Sequence, residues 1–595
     1  MNEPQQNGKP VSPFAQGYQM PPAYTPRPKE YYPLQKRDNI YAVLALIVGV
    51  LSVSLSLWGE FMIGFTVSYV LFFAVMTAYL ARRPEKVRLF PLLCAVLALA
   101  GSAVFALTDC TDVNFFLLLM MFALTAVWFS SFRKPYLPTT DLGLIGSLFS
   151  STFGKAFGGL GTAMRSLFRK KNGKAGNLGK VLVGAACAIP VLVIVLPLLV
   201  SSDAAFEGLI TDILDDLVET FAKILLGAAF GALLISYGFA HRMGKPTEEK
   251  KSGFAGLEGV FVSSFLGMIS LCYLAYLFSQ LAYFFNGFAG ILPKEFNAAD
   301  YARRGFFEMS AIAVINLLLL FGTLALSKKK DGRLSLPVLI FSLFIDLFTL
   351  VIISTALSKM VMYMNRFGLT RLRITTSAFM VFLGTVFLAL FVKYFAPKTP
   401  VVKIGMVTGT CILLLLGFGN VDRVVAEYNI GAYRSGALTA LDVDAIGELG
   451  ATAVPYLAEL TEDENEKIAE SARKQLDSKI LAMYELRDGK FVRPKAELGA
   501  WNLTVSRAYQ ALEKYIPDDP MPLILWEHGY EKNEIIGKSA YDIEMRYGTF
   551  DDREERETQS EPDGYYLLET DLTQNTFLRI RFADGVAYAM DFVTK

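Results

Sequence analysis

Apolar residues dominate the chain up to about residue 420 and come in blocks of roughly twenty. A block of this length crosses a hydrocarbon core of about 30 Å as an α-helix. The pattern predicts about eleven transmembrane helices, approximately at 40–58, 61–80, 89–107, 113–132, 181–202, 217–240, 258–288, 305–327, 334–357, 374–392 and 403–420. The seventh block is uncharged from Val260 to Ile291. We expect this long block to tilt, to extend into the interface or to bend near Asn286.

The pattern changes after Asp422. Residues 437–483 and 501–515 have helical spacing, and a short helix with Ser539 as its N-cap is predicted after Pro520. The segments GYYLLET, TFLRIRF and VAYAMDFV alternate as strands do, and Ala-Asp-Gly at 583–585 is a good hairpin turn between the last two. The predicted fold class is an all-α integral membrane bundle followed by a soluble α+β C-terminal domain.

These patterns divide the chain into four parts. We expect a disordered tail rich in Pro, Tyr and Gln at 1–38, a transmembrane domain at 39–421, a mostly helical region at 422–519 and a small α+β module at 520–595. The tail is polar, so we expect the first apolar block, rather than a cleavable signal peptide, to direct insertion.

Charge predicts the orientation in the membrane. If the N-terminus is cytoplasmic and the blocks alternate, the inner segments carry 29 basic residues and the outer loops carry 7. This asymmetry favours a cytoplasmic N-terminus, and an odd number of spans then places the C-terminal domain outside the cytoplasm. The chain up to Val421 has a net charge of +15 and the remainder has −14, which also suggests two electrostatic settings.

The cytoplasmic loop 133–180 contains an amphipathic stretch that ends in three basic residues. Such a stretch either lies on the inner leaflet or packs beneath the bundle, and the sequence leaves both possibilities open. In the sixth block, Gly227 and Gly231 form a small-xxx-small pattern, which predicts close approach of two helix backbones.

Composition argues against several kinds of site. The chain has two histidines, and none of its five cysteines falls in the C-terminal domain, so we predict no metal centre and no cofactor. The glycine-rich stretch Gly173–Lys180 lacks the spacing and the hydroxyl residue of a phosphate-binding loop. We expect the lipid bilayer as a partner and no nucleic acid.

Asp346 lies near the middle of the ninth block. A carboxylate at that depth costs about 2.5–3.5 kcal/mol on insertion scales, so it must face protein, water or a cation. One interpretation is proton or ion handling. The other is a carboxyl held by a hydrogen bond or an arginine, or kept neutral, for packing alone.

Two predicted outer loops contain basic residues where the charge rule disfavours them. We expect their side chains to converge on the outer side of the bundle, with Asp346 below them, as a site for an anion or ion. The predicted members are Arg303, Arg304, Glu308, Asp346, Tyr363, Arg366, Arg371 and Arg373. The alternative is that each arginine pairs locally with a group of the chain itself.

Several motifs resemble a known family. LCYLAYLFSQLAYFFNG, ADYARRGFFEMSAIAVINLLLL, MYMNRFGLTRLRITTSAF and VDRVVAEYNI occur in the order seen in the bacterial multi-pass membrane family catalogued as domain of unknown function 4173, near its relative 4153. The resemblance covers roughly 180–460 and implies a membrane fold without an assigned reaction. IIGKSAYDIEMRYGTFD and the strands after it resemble BamE/SmpA-like envelope modules, which implies an interaction role by analogy.

Three functions compete at this point. The first is a cell-envelope scaffold or sensor whose C-terminal domain meets an envelope protein or polymer, which would not be an enzyme. The second is a secondary transporter of a small anionic or proton-coupled solute, based on Asp346, Glu308 and the arginines. The third is a membrane-embedded transferase that acts on lipid or glycan precursors and uses the same arginines to hold phosphate.

Overall fold

The computed structural model describes most of the chain. The described residues are 32–57, 62–81, 88–132, 141–168, 204–243, 256–288, 298–329, 333–487, 490–495, 499–530, 532–536, 538–547, 549–554, 563–570, 575–583 and 586–594. The disordered tail predicted at 1–38 therefore lies largely outside the described residues, as does the fifth predicted block at 181–202.

Four helices open the bundle: α1 (Lys36–Ser56), α2 (Ile63–Leu80), α3 (Leu89–Val104) and α4 (Thr111–Ser130). A helical segment follows, made of α5 (Asp141–Phe149), a π-helical turn (Ser150–Gly154), α6 (Lys155–Gly158) and α7 (Leu160–Leu167). Six long helices complete the bundle: α8 (Ala204–Met243), α9 (Gly259–Phe288), α10 (Ala298–Leu326), α11 (Leu336–Phe367), α12 (Arg371–Phe395) and α13 (Val401–Phe418).

The apolar blocks correspond to these helices. Within the described ranges, nine helices are long and apolar enough to cross a membrane, and Leu89–Val104 is a shorter apolar helix. Ten of the eleven predicted blocks coincide with one of these helices. The membrane-bundle fold class is confirmed, whereas the count of eleven depends on a block outside the described residues. The long seventh block is helical without interruption from Gly259 to Phe288.

Glycines bring α1 and α8 together as the small-xxx-small pattern predicts. A Cβ atom built on Gly231 would lie 2.8 Å from the Cα of Leu46, and one on Gly227 would lie 2.4 Å from the Cα of Val50. Distances this short leave no room for a side chain, so the two backbones are in direct contact. The predicted close approach is confirmed, and α1 is its partner.

The segment α5–α7 packs against the bundle on one face. Leu144 and Ala163 are buried, and the hydroxyl of Ser236 in α8 donates a hydrogen bond of 3.1 Å to the carbonyl of Lys155. Phe149 and Phe157 are exposed on the other side. The packing alternative is thus observed for one face, and the exposed phenylalanines suit the lipid contact that the sequence also allowed.

After the bundle, the chain continues as α14 (Val421–Arg434), only two residues beyond the end of α13. The helical region that follows contains α15 (Val443–Gly447), a 3-10 helix (Gly450–Ala453), α16 (Val454–Leu460), α17 (Glu466–Met483), a hairpin of β1 (Glu485–Arg487) and β2 (Lys490–Val492), and α18 (Leu503–Leu512). We call residues 421–515 the helical region.

The last part of the chain is a small module with its own core. It comprises α19 (Met521–Glu527), α20 (Lys532–Ile535), α21 (Ala540–Tyr547) and an antiparallel sheet in the order β3 (Asp552–Glu554), β4 (Asp563–Thr570), β5 (Asn575–Ala583), β6 (Val586–Thr594). Ser539 accepts a hydrogen bond from the backbone N–H of Asp542, which confirms the predicted helix cap. Ala583 pairs with Val586, as the predicted hairpin requires.

Candidate functional site

The two ends of the bundle carry different groups. At one end, Arg242 of α8 pairs with Asp38 of α1 at 2.5 Å, and Lys393 of α12 pairs with Asp141 of α5 at 2.8 Å. The other end carries the start of α2, the α3–α4 connection and the α11–α12 connection, and the helical region packs against all three. We call these the basic end and the docking end.

The predicted site residues lie in two places. Tyr363, Arg366, Arg371 and Arg373 lie around the α11–α12 connection at the docking end. Asp346 lies inside α11, 17 residues before Tyr363, which corresponds to about 26 Å along the helix axis. The structure therefore does not bring Asp346 together with these arginines.

The remaining predicted members are on α10. Glu308 is exposed on that helix. The side chains of Arg303 and Arg304 lie outside the described residues, so their part in a common site stays a prediction.

Arg371 forms an ion pair with the helical region. Its Nε atom donates to one oxygen of Asp422 at 2.7 Å, and its Nη2 atom donates to the other oxygen at 2.8 Å. Asp422 is completely buried. Burial raises the pKa of the Asp422 carboxyl, and the guanidinium of Arg371 only partly offsets that effect. This two-point geometry is the strongest form of an arginine–carboxylate contact and joins α12 to α14.

Arg373 is bound by the chain as well. Its guanidinium donates at 3.1 Å to the carbonyl of Phe367, the last residue of α11, and at 2.6 Å to that of Gly368, the residue after it. It also lies 4.3 Å from the ring centroid of Tyr363. A cation at this position complements the negative end of a helix dipole. Arg371 and Arg373 thus engage groups of the chain itself, which supports the local-pairing alternative for both.

The backbone between α11 and α12 bonds to an amide side chain of α14. The N–H of Leu369 donates to Asn429 Oδ1 at 2.7 Å, and Asn429 Nδ2 donates back to the carbonyl of Leu369 at 2.8 Å. Gly368 has a φ of +76°, and a Cβ atom there would lie 2.5 Å from Asn429 Oδ1. Only glycine permits both this backbone conformation and this contact.

Asp109, in the connection between α3 and α4, holds the start of the 3-10 helix. Its carboxylate accepts a hydrogen bond of 2.9 Å from the N–H of Ala451 and one of 3.2 Å from the hydroxyl of Thr452. A carboxylate that accepts backbone N–H groups at a helix start is a capping arrangement. Here the cap comes from a residue 342 positions earlier in the chain.

Residues at the start of α18 donate hydrogen bonds to the carbonyls that follow the end of α3. Asn502 Nδ2 donates to the carbonyl of Phe105 at 3.0 Å, the N–H of Leu503 donates to that of Ala106 at 3.0 Å, and the Thr504 hydroxyl donates to that of Leu107 at 2.7 Å. The carbonyls just beyond a helix end have no partners inside that helix. The donors at the start of α18 therefore satisfy the carbonyls of the turn that follows α3.

The first backbone N–H groups of α2 also form hydrogen bonds with the helical region. The N–H of Ile63 donates to the carbonyl of Trp501 at 3.1 Å, and the N–H of Gly64 donates to that of Gly499 at 2.9 Å. Apolar contacts continue the join, because Cys110 and Val113 of the bundle share one buried core with Val421, Val425 and other residues of the helical region. We call this set of polar and apolar contacts the docking interface.

Little in the sequence indicated that these residues would form an interface between distant parts of the chain. Asn502 stands before a helix, and Gly450 has a φ of +64°, as expected of cap and turn residues. Their side-chain type predicts local capping. It does not predict that Asn502 and Asp109 reach across to a different part of the chain.

Asp346 has quite different surroundings. Asp346 and Ser342 are completely buried in α11, and Tyr394 of α12 lies close enough to both side chains to interact with them. Among the described residues, none donates a hydrogen bond to either oxygen of Asp346. We call these three residues the carboxyl cluster.

In the part of the chain that the structure describes, no group of three or more His, Cys, Asp or Glu side chains is placed to hold a metal ion. The arrangement offers two chemistries instead. One is a rigid polar join at the docking end, and the other is an isolated carboxyl with two hydroxyls inside the bundle.

Comparisons with known proteins give one match. A family model described as a domain of unknown function (DUF4153) matches residues 71–460, which is about two thirds of the chain. No curated protein and no solved structure matches it. The match is to the relative 4153 rather than to family 4173, which the motifs suggested first. It includes Asp346, Arg371 and Asp422 and stops before the small module.

Proposed function

We propose that this chain, which belongs to the DUF4153 family of unknown function, is a membrane scaffold or sensor that presents its C-terminal module on a rigid mount. The bundle anchors the protein in the membrane, and the helical region is the mount. The small module at 520–594 is the part that meets a partner, either an envelope protein or an envelope polymer.

The docking interface is the observation that carries this proposal. It provides hydrogen-bond partners from the helical region to the start of α2, to the carbonyls after α3 and to the α11–α12 connection, and it includes the buried pair Arg371–Asp422. Removing one partner of a buried ion pair typically costs about 3–5 kcal/mol, because the other charge is left uncompensated. A flexible tether does not need such an interface. A rigid mount that transmits displacements between the module and the bundle does need one.

The link between bundle and mount is short. Only Gly419 and Asn420 separate α13 from α14, and the side chain of Asn420 accepts a hydrogen bond of 3.1 Å from the N–H of Arg423. A displacement of α14 must therefore act directly on α13. This coupling supports a sensor in which binding at the module biases the arrangement of the bundle.

The module offers an apolar surface for a partner. Tyr541 and Met545 are one turn apart on α21, and each is 71% exposed. Large apolar side chains that share an exposed helix face often mark an interaction surface in a water-facing domain. The resemblance of this segment to BamE/SmpA-like envelope modules points to the same role by analogy.

Photo-crosslinking in intact cells tests the partner. A photoreactive amino acid at position 541 or 545 of the full chain should give a discrete crosslinked product. The same residue at position 474, an exposed lysine on α17, is the matched control and should give none. Products at all three positions, or at none, would contradict a partner surface on α21.

The proposed orientation places the docking end outside the cytoplasm and the N-terminus inside. It rests on the basic residues of the predicted inner segments. A reporter that is active only outside the cytoplasm should work when fused after Lys595 and fail when fused after Lys330. The reverse result would invert the proposal, and the mount would then face cytoplasmic partners.

A proton-coupled transporter is the second candidate. The carboxyl cluster favours it, because an ionisable side chain without a partner inside a bundle often lies on a proton path. Proton uptake by the cluster does not require a transported substrate and is separable from transport.

A further inference from the structure

Three polar side chains near Asp346 form a chain of hydrogen bonds that does not include Asp346. Tyr273 of α9 donates to Asn316 Oδ1 at 2.6 Å, and Asn316 Nδ2 of α10 donates to the Thr349 hydroxyl at 2.9 Å. The Thr349 hydroxyl donates in turn to the carbonyl of Ile345 at 2.6 Å. This chain joins α9, α10 and α11 within one turn of Asp346. The packing can therefore satisfy buried polar groups here, yet it leaves the carboxyl without a donor.

Few ionisable groups face the carboxyl cluster. Tyr273 of α9 donates a hydrogen bond to Asn316, and Tyr394 of α12 lies near Asp346. Lys393, the neighbour of Tyr394, is held by Asp141 and by the carbonyl of Thr399. Among the described residues, no charged side chain forms an ion pair or a hydrogen bond with Asp346. A carboxylate without a counter-charge inside a bundle is costly, so the group needs a cation of its own.

We propose that Asp346 is a proton-binding site whose two states are served by the hydroxyls of Ser342 and Tyr394. A proton from water at the basic end binds to a carboxylate oxygen, and a side-chain movement brings the neutral carboxyl within hydrogen-bond distance of one hydroxyl. On release the proton returns to water, and side-chain movements bring both hydroxyls into position to donate to the carboxylate. A hydroxyl can donate or accept, so the same three groups satisfy both states.

The position of the cluster selects the end from which the proton comes. Asp346 lies ten residues, or about 15 Å, from the start of α11 at the basic end, and about 26 Å from Tyr363 at the docking end. Tyr394 is the last residue but one of α12, which ends at the basic end. Tyr394 therefore lies between Asp346 and that end of the bundle. This inference is independent of the scaffold proposal.

Infrared difference spectroscopy on the full-length protein in lipid nanodiscs tests the site. The wild type should show the C=O band of a protonated, buried carboxyl, and the band should disappear as pH rises. Asp346→Asn should lose the band entirely. Asp112→Asn removes an exposed carboxyl at the docking end and is the matched control, so it should keep the band and its pH dependence.

Tyr394→Phe tests the role of the hydroxyl. It keeps the ring but removes a donor to the carboxylate, so the band should persist to higher pH than in the wild type. Ser342→Ala removes the other donor and should shift the loss of the band in the same direction. Wild-type protein without such a band at any pH at which it stays folded would overturn the proposal. A band that survives in Asp346→Asn would do the same, and unshifted Tyr394→Phe and Ser342→Ala profiles would remove the hydroxyls from it.

Discussion

Asp422 and Asp346 are both completely buried, and their surroundings differ in every other respect. Asp422 accepts two hydrogen bonds from one guanidinium, whereas no described residue donates to Asp346. A third buried carboxylate, Asp38, resembles Asp422, because Tyr79, Arg242 and the N–H of Gln35 all donate to it. The difference teaches that burial alone does not identify a functional carboxyl. The absence of a dedicated donor is the property on which the proposed proton-binding role of Asp346 rests.

The largest effect is expected from breaking the Arg371–Asp422 pair. Arg371→Ala leaves the Asp422 charge buried without a partner and should lower the free energy of unfolding by about 3–5 kcal/mol. Arg423→Ala breaks an exposed pair with Glu427 on the same helix as Asp422 and should cost about 0–1 kcal/mol. Chemical denaturation of the full-length protein in detergent measures both. Equal effects would show that the docking interface contributes no more than surface charge.

A double variant sharpens this result. In Arg371→Met combined with Asp422→Leu, both charges are absent, so no uncompensated group remains in the interface. Replacing a buried ion pair with apolar residues is often neutral or stabilising. The double variant should therefore be more stable than Arg371→Ala. A double variant as unstable as the single one would indicate that the position needs its hydrogen bonds rather than charge balance.

An intermediate effect is expected at Gly368. Gly368→Ala should cost about 2–4 kcal/mol, because it strains a left-handed backbone and displaces the two hydrogen bonds of Asn429. Gly436 also has a left-handed φ, +75°, but nothing lies within 4 Å of its missing Cβ atom. Gly436→Ala should then cost only the strain, about 1–2 kcal/mol. The difference between the two variants measures the Asn429 contact, and no difference would remove it from the interface.

The smallest effect is expected at Asp346. If the carboxyl is neutral in the folded protein, Asp346→Asn replaces one neutral planar group with another and should change the free energy of unfolding by less than about 1 kcal/mol. Asp422→Asn loses a charged acceptor of Arg371 and should cost about 1.5–3 kcal/mol. The same denaturation experiment compares them at neutral pH. A larger loss for Asp346→Asn than for Asp422→Asn would make Asp346 a structural carboxylate.

Most of the secondary structure followed from local rules. Apolar length predicted ten helices that the structure describes, alternation predicted β4, β5 and β6, and a serine in the right place predicted the start of α21. The hairpin of β1 and β2 was not predicted, because three-residue strands carry too short an alternation to detect. The candidate site was predicted less well than the secondary structure. The sequence singled out Arg371 and Asp346 as unusual, but it grouped them together when they are on separate parts of the bundle.

The sequence by itself determined which segments are apolar enough to enter a membrane, which are not, and where glycines allow helices to touch. Those properties depend on residues within one or two turns of each other, so they can be determined from a linear pattern. Only the tertiary structure decided that Asp109 caps a helix 342 residues later, that Asp422 receives Arg371 and that Asp346 receives no donor among the described residues. A side chain's type states which bonds it can make, and the packing of distant helices determines which partner comes within 3 Å.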